Sequence, residues 1–222
     1  MDMKGKVVLI TGGAGALGQT VVPAFVSTGA SVILGDRTPV QMPGITALKA
    51  DFTDHTQVRN LVDEVIRTSG RLDALINLVG GFATGRLVET DLSLWQRMLN
   101  MNLTSAFLLS QAVLPSMLQH GQGRIVHVAA RAALEPFAGA AAYIVSKAGV
   151  IGLIRTLSAE LEGSGVTVNA VLPSTIDTPA NRRAMPTADP SQWARPDSVA
   201  RTLTFLASDG ASQINGALIP IG

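Results

Sequence analysis

Tyr143 and Lys147 stand four residues apart in a stretch whose apolar residues recur at three- and four-residue spacing, so one helix face carries both side chains. A lysine ammonium about 5 Å from a phenol, at an effective dielectric near 20, favours the phenolate by about 3 kcal/mol and lowers a pKa of about 10 by roughly two units. A pair so tuned exchanges protons near neutral pH, which is what general acid–base work on a substrate oxygen or nitrogen requires. Tyr143 is the only tyrosine in the chain. The bland alternative is a surface tyrosine on an amphipathic helix.

Residues 12–18 read Gly-Gly-Ala-Gly-Ala-Leu-Gly and satisfy G-x-G-x-x-G from Gly13. They follow an apolar run and lead into a helical pattern. Glycines there allow a tight turn and close backbone approach to a pyrophosphate, and the helix N-terminus favours its charge. Gly12, Gly13, Gly15, Leu17 and Gly18 are the candidate contacts. Eighteen residues past Gly18, a second apolar run ends in Asp36. Its carboxylate would accept hydrogen bonds from ribose hydroxyls and repel a 2′-phosphate, so NAD is expected over NADP, with Arg37 softening the discrimination.

The elements that must position these residues alternate. Short β-branched runs at 6–11, 31–36, 45–50, 72–78, 124–129, 166–171 and 217–220 predict strands. Helical periodicity occupies 16–27, 54–69, 92–119, 140–162 and 196–208. Such alternation predicts an α/β fold of Rossmann type, a doubly wound parallel sheet with helices on both faces. Residues 7–10 and 74–76 are apolar at successive positions, as strands buried on both faces should be. The proline-rich stretch 173–196 is the one long irregular segment and is expected to be a lid over a site.

The 222 residues, 47% apolar and 15% charged, suffice for one large core, so a single domain over 1–222 is the expectation. A net charge of +1 without a run of Lys or Arg argues against nucleic-acid and membrane partners. No signal-peptide core or unbroken apolar span is visible, so a soluble, cytoplasmic protein is expected. The chain has no cysteine, and His55, His120 and His127 lie at no spacing that metal sites use, so no metal is expected. His127, on a predicted buried strand, reads as a packed core histidine.

The series TGGAGALG at 11–18, Asp36, Asp51 within ADFTD, NLVGG at 77–81, Asn102 within NMNL, GRIVHVAA at 123–130, YIVSK at 143–147 and VNAVLPSTIDT at 168–178 resembles the short-chain dehydrogenase/reductase family over essentially the whole length. The resemblance implies a nicotinamide-dependent oxidoreductase. It makes Tyr143 the catalytic acid and Lys147 its tuner and the anchor of the nicotinamide ribose, while Asn102 holds a water that relays protons to Lys147. It extends the cofactor contacts to Asp51, Phe52, Asn77, Val79, Gly80, Pro173, Ile176 through its backbone, and Thr178 at the carboxamide.

The chain departs from the family pattern where it matters most. Thirteen residues before Tyr143, where the family places a Ser that donates to the substrate oxygen, stands Ala130. Ala16 replaces a glycine of the phosphate loop and Ser174 the usual glycine after Pro173. The second half, with ARAAL at 130–134, the run 171–182 and the stretch from Met185 to Trp193, is similar to quinonoid dihydropteridine reductases, which also lack the Ser. Loss of one such donor costs about 3 kcal/mol at the transition state, so a plain ketone should react poorly and an electrophilic conjugated ring well. Arg131 beside the vacancy is expected to point elsewhere, because successive strand residues face opposite ways. Met185 and Trp193 either stack on a flat ring or pin the lid.

Three readings remain open at this stage. The first is hydride transfer to a conjugated C=N or C=O acceptor, with a quinonoid dihydropterin as its sharpest named example. The second is a general ketone or 3-oxoacyl reductase, and the third a non-catalytic sensor of NAD. Apolar residues on the two long helices, among them Phe107, Leu108, Val150, Ile151, Leu153 and Ile154, predict a homodimer or homotetramer.

Overall fold

Val7–Thr11, β1, is buried at all five positions, and it is central because both of its edges are taken by neighbouring strands. A computed structural model describes residues 1–38 and 42–222. Six further strands join β1: β2 Ser31–Asp36, β3 Thr46–Lys49, β4 Ala74–Asn77, β5 Gly123–Val128, β6 Val166–Pro173 and β7 Leu218–Ile221. They form one parallel sheet in the order β3-β2-β1-β4-β5-β6-β7. Every predicted strand is present within a residue or two of its expected bounds.

The chain winds outward from β1 through β2 to β3, then crosses back to place β4 on the other side of β1. That reversal is the switch point at which open α/β sheets leave a crevice outside the strands' carboxyl ends. The glycine loop after β1 and the Leu78–Gly81 turn after β4 face each other across it.

Helices α1 Gly18–Ser27, α2 His55–Ser69, α3 Leu92–Met98, α4 Ser105–Gln119, α5 Ala141–Glu160, α6 Pro179–Ala184 and α7 Pro196–Ala207 flank the sheet. Val21, Val22 and Phe25 of α1 pack with Val199, Leu203 and Leu206 of α7 on one face. Helices α2, α4 and α5 fill the other, with Val62, Leu109 and Ile154 inside. Asp54 caps α2 by accepting from the N–H groups of Thr56 and Gln57 at 2.9 and 3.1 Å, which fixes the turn carrying Asp51 and Phe52.

Several expectations need correction. The predicted helix 92–119 contains a π-helical stretch, Leu99–Thr104, between α3 and α4. Such stretches widen the helix by one residue and often mark functional positions, and Asn102 lies in this one. Helix α1 begins at Gly18 rather than at residue 16, because Gly15 and Ala16 remain in the turn that Leu17 closes. The stretch 173–196 is less irregular than expected: it holds α6, capped by Thr178, and closes on itself where Ala194 pairs with Ile176 in an isolated bridge beyond β6. Trp193 is buried and pins this segment to the body, whereas Met185 is partly exposed. Of the apolar residues read as surplus surface, Leu108, Val150, Ile151 and Ile154 belong to the core, Leu153 packs against it, and only Phe107 is exposed. Two helical stretches, Leu92–Gln119 and Ala141–Glu160, are long and apolar enough to cross a bilayer by composition, and their buried faces lie on the sheet.

Candidate active site

Gly12 sits at φ +75°, a conformation that a side chain disfavours, and a Cβ there would approach the Val79 nitrogen to 2.9 Å. A Cβ at Gly18 would run into the carbonyl of Gly13. The loop is therefore closed against both the turn after β4 and its own helix, which only glycine permits.

A cavity of about 820 Å³ opens over this loop, and its size and lining suit a dinucleotide. Of the cofactor contacts expected from sequence, Gly12, Gly15, Asp36, Arg37, Asp51, Phe52, Val79 and Gly80 line it. Gly13 and Gly18 shape the turn beneath. Leu17, Asn77, Tyr143, Lys147, Pro173, Ile176 and Thr178 lie outside that lining, most of them in the elements that continue past Gly80. One Asp36 carboxylate oxygen accepts from the Ala14 N–H at 3.0 Å, so the carboxylate is held at the cavity wall by the phosphate loop itself. Two hydrogen bonds from Thr53, first its N–H and then its hydroxyl, hold the Asp51 carboxyl below the usual range.

The opposite wall was not foreseen. Ser93, Gln96, Arg97 and Asn100 of α3 and the stretch after it face the glycine loop across the cavity. In the sequence their polarity is indistinguishable from a solvated helix face.

Past Gly80 the polar residues converge. The Asn102 carboxamide accepts from the Gly81 N–H at 2.9 Å and donates to the Gly81 carbonyl at 3.1 Å and to the Ser146 hydroxyl at 2.9 Å. Ser146 donates in turn to the Tyr143 carbonyl at 2.7 Å. Asn102 thus ties the turn after β4 to the helix that carries Tyr143 and Lys147. Gly80 is wedged between them, since a Cβ there would come within 2.8 Å of Asn102 Oδ1 and 3.1 Å of Lys147 Nζ.

The electrostatics of the pair differ from the expectation. Burial pushes the Tyr143 phenol up to about 12, not down, and burial lowers Lys147 to about 8. Lys147 Nζ donates to the carbonyl of Val128 at 2.8 Å. The ring of Phe82 packs edge-on against Tyr143, with centroids 4.9 Å apart, and contributes to that burial. The phenol is therefore a firmly protonated donor.

Ala130 is buried at the end of β5, as placed from sequence. Arg131 opens a short 3₁₀ turn, Arg131–Ala133, rather than continuing the strand, so strand alternation does not apply to it, and it donates to the main-chain carbonyl of Gly222. The Thr178 hydroxyl accepts from the Asn181 N–H at 3.2 Å as the cap of α6, and the Ile176 carbonyl accepts from Asn181 Nδ2 at 2.8 Å. Both groups are therefore engaged in shaping the segment after Pro173. Among the described residues no group of three or more His, Asp or Glu is placed to hold a metal.

A profile of the short chain dehydrogenase family matches residues 6–189. The chain is 33% identical to the 3-oxoacyl-(acyl-carrier-protein) reductase FabG of Thermotoga maritima over 100% of its own length and 98% of that protein's. It is 34% identical to the D-threitol dehydrogenase of Mycolicibacterium smegmatis, over 97% of this chain and 90% of the other. Among solved structures, the ligand-free aldohexose dehydrogenase of Thermoplasma acidophilum superposes with a TM-score of 0.90 at 27% identity, covering 98% of this chain and 92% of that one.

Proposed function

The chain belongs to the short-chain dehydrogenase/reductase family, an oxidoreductase using a nicotinamide cofactor, and we propose that it reduces a conjugated C=O or C=N acceptor with NADH. The observation that carries this reading is the combination of Tyr143 and Lys147 on one face of α5 with Ala130 where an oxygen-holding Ser is expected.

The glycine loop, Asp36 and the wall of α3 would hold the dinucleotide, and Asp36 favours a free ribose 2′-hydroxyl. Bound there, the cofactor supplies a hydride. Tyr143 donates the proton to the acceptor atom, for which its raised pKa keeps it in the protonated form. Lys147 is the nearby cation that stabilises the phenolate left behind, and Asn102 holds the Gly81 turn and α5 in register, and in our reading relays protons to Lys147 through a bound water. Thr178 and the Ile176 backbone are the proposed contacts for the far end of the cofactor. Phe82 packs edge-on against Tyr143, and a plain carbonyl with no second donor beside the phenol is poorly polarised. A quinonoid dihydropterin is the sharpest named acceptor. We place the enzyme in the cytoplasm as a homodimer or homotetramer, with exposed Phe107 of α4 at the contact. Size-exclusion with light scattering tests the assembly, and a monomer at micromolar concentration would contradict it.

A second reading, a general ketone or 3-oxoacyl reductase, is supported by the likeness to the Thermotoga maritima reductase. The substitution Ala130→Ser separates the two. If conjugated acceptors are the substrates, it raises turnover of simple ketones by about two orders of magnitude, the worth of one transition-state donor. A general ketone reductase that has already replaced the Ser would change little.

A further inference from the structure

Every hydrogen bond along the buried chain from Val79 through Asn77 and His127 to Ser110 has its direction fixed from both ends. The Val79 N–H can only donate, so the Asn77 atom 3.0 Å from it is Oδ1, which also accepts from the Thr11 hydroxyl at 3.0 Å. Asn77 Nδ2 then faces His127 Nδ1 at 3.0 Å, and that ring nitrogen must be a bare acceptor. At the other end the Ser110 hydroxyl donates to the Ala106 carbonyl at 2.8 Å. Its oxygen is left to accept from His127 Nε2–H at 2.9 Å. Both ends demand the same neutral Nε2–H tautomer.

The surroundings hold it there. Asn77 comes from β4, Ser110 from α4, and the strand partner on β6 is Ala170, all uncharged. Burial first, and then the charge of Lys147 on α5, keep His127 far below its usual range, at about 3. The output of the chain is the Val79–Gly80 segment, which touches the phosphate loop at Gly12 and the Asn102–Lys147 pair at Gly80. A flipped Asn77 amide would turn its NH₂ toward the Val79 N–H, donor against donor, and would displace the turn between those two halves of the site.

We propose that His127 is a positioning residue for the cofactor: as the Nε2–H tautomer it fixes the Asn77 amide, and through it the turn that joins the phosphate loop to the catalytic pair. The inference rests on the site being a dinucleotide site. NADH binding followed by its fluorescence, together with Tm, tests it in His127→Leu, His127→Gln and Ser110→Ala. Loss of the acceptor in His127→Leu should weaken NADH by about ten-fold or more, while Gln, which can accept from Asn77 and donate toward Ser110, should keep the loss within about three-fold. Ser110→Ala, which frees the tautomer while removing only a hydroxyl, should fall between them. A His127→Leu protein with lowered Tm and wild-type NADH affinity overturns the inference, because the imidazole is then packing alone.

Should His127→Leu fail to fold, long-range ¹⁵N–¹H NMR of the wild type decides. A bare Nδ1 unchanged between about pH 5 and about pH 8 is expected, and a protonated Nδ1 at either end overturns the inference. Wild-type protein that binds neither NADH nor NADPH sinks the dinucleotide reading itself. Wild-type binding that all three variants share sinks only the role of His127.

Discussion

Lys147 Nζ lies 2.8 Å from the main-chain carbonyl of Val128, and no hydrogen bond among the described residues joins it to the phenol of Tyr143 one turn earlier on α5. The pair that the sequence places on one helix face has no direct hydrogen bond between its members. Its two members are governed by burial instead, which raises one pKa and lowers the other.

That has a consequence for stability. Lys147 titrates at about 8 in the folded protein against 10.5 in its ordinary state, a depressed value. The unfolded chain binds the extra proton between these limits, so the contribution of Lys147 is present above about pH 10.5 and is lost as pH falls through 8. Tyr143, raised to about 12 from 10.0, contributes stability that is present below pH 10 and lost as pH rises through 12. Relative to wild type, Lys147→Met should gain about 2–3 kcal/mol of stability at pH 7 and nothing near pH 10.5, read by denaturant unfolding across that range. An equal difference at both pH values would mean that Lys147 is not charged at a cost in the fold.

Gly80 is a tight point between the two halves of the catalytic pair's surroundings. An added methyl meets Asn102 Oδ1 at 2.8 Å and Lys147 Nζ at 3.1 Å, and both belong to groups held by other bonds. Gly80→Ala is expected to cost about 1–3 kcal/mol of stability by overpacking, and to lower kcat more than it raises KM for the cofactor. Wild-type kinetics in a folded variant would show that the wedge is soft.

At the cavity wall Asp36 accepts from the Ala14 N–H at 3.0 Å with one carboxylate oxygen and from the Thr38 N–H at 3.3 Å with the other. Asp36→Ser should weaken NADH by about ten-fold through loss of a charged acceptor, while NADPH affinity rises because the repulsion of a 2′-phosphate is removed. Titration of the two cofactors side by side checks this. Unchanged discrimination would move the specificity to Arg37 or Arg97.

Much of this was legible beforehand because the relevant signals are local. A β-branched run such as Val7–Ile10, a glycine turn and an i, i+4 pair each declare themselves within a dozen residues. What stayed hidden depends on partners far along the chain. Asn102 bonds to Gly81 and Ser146, contacts that span 21 and 44 residues, and the π-helical widening at 99–104 has no mark of its own. The apolar surface on α4 and α5 is harder to read from sequence, because Leu108, Val150, Ile151 and Ile154 join the core while Phe107, Leu118 and Val145 stay exposed, a division that spacing alone does not give. The pKa of Tyr143 was misjudged for the same reason: spacing gives the distance to Lys147, but burial is set by packing that includes Phe82.

The proposed reaction is reduction of a conjugated acceptor by NADH, with Tyr143 as the proton donor and no Ser. The most direct test follows NADH absorbance with freshly generated quinonoid dihydropterin, with the enzyme-free rate subtracted, in wild type and Tyr143→Phe. Turnover in the wild type that is lost in Tyr143→Phe while NADH still binds is expected. Turnover that survives Tyr143→Phe, or NADH binding by the wild type without any turnover, would contradict it.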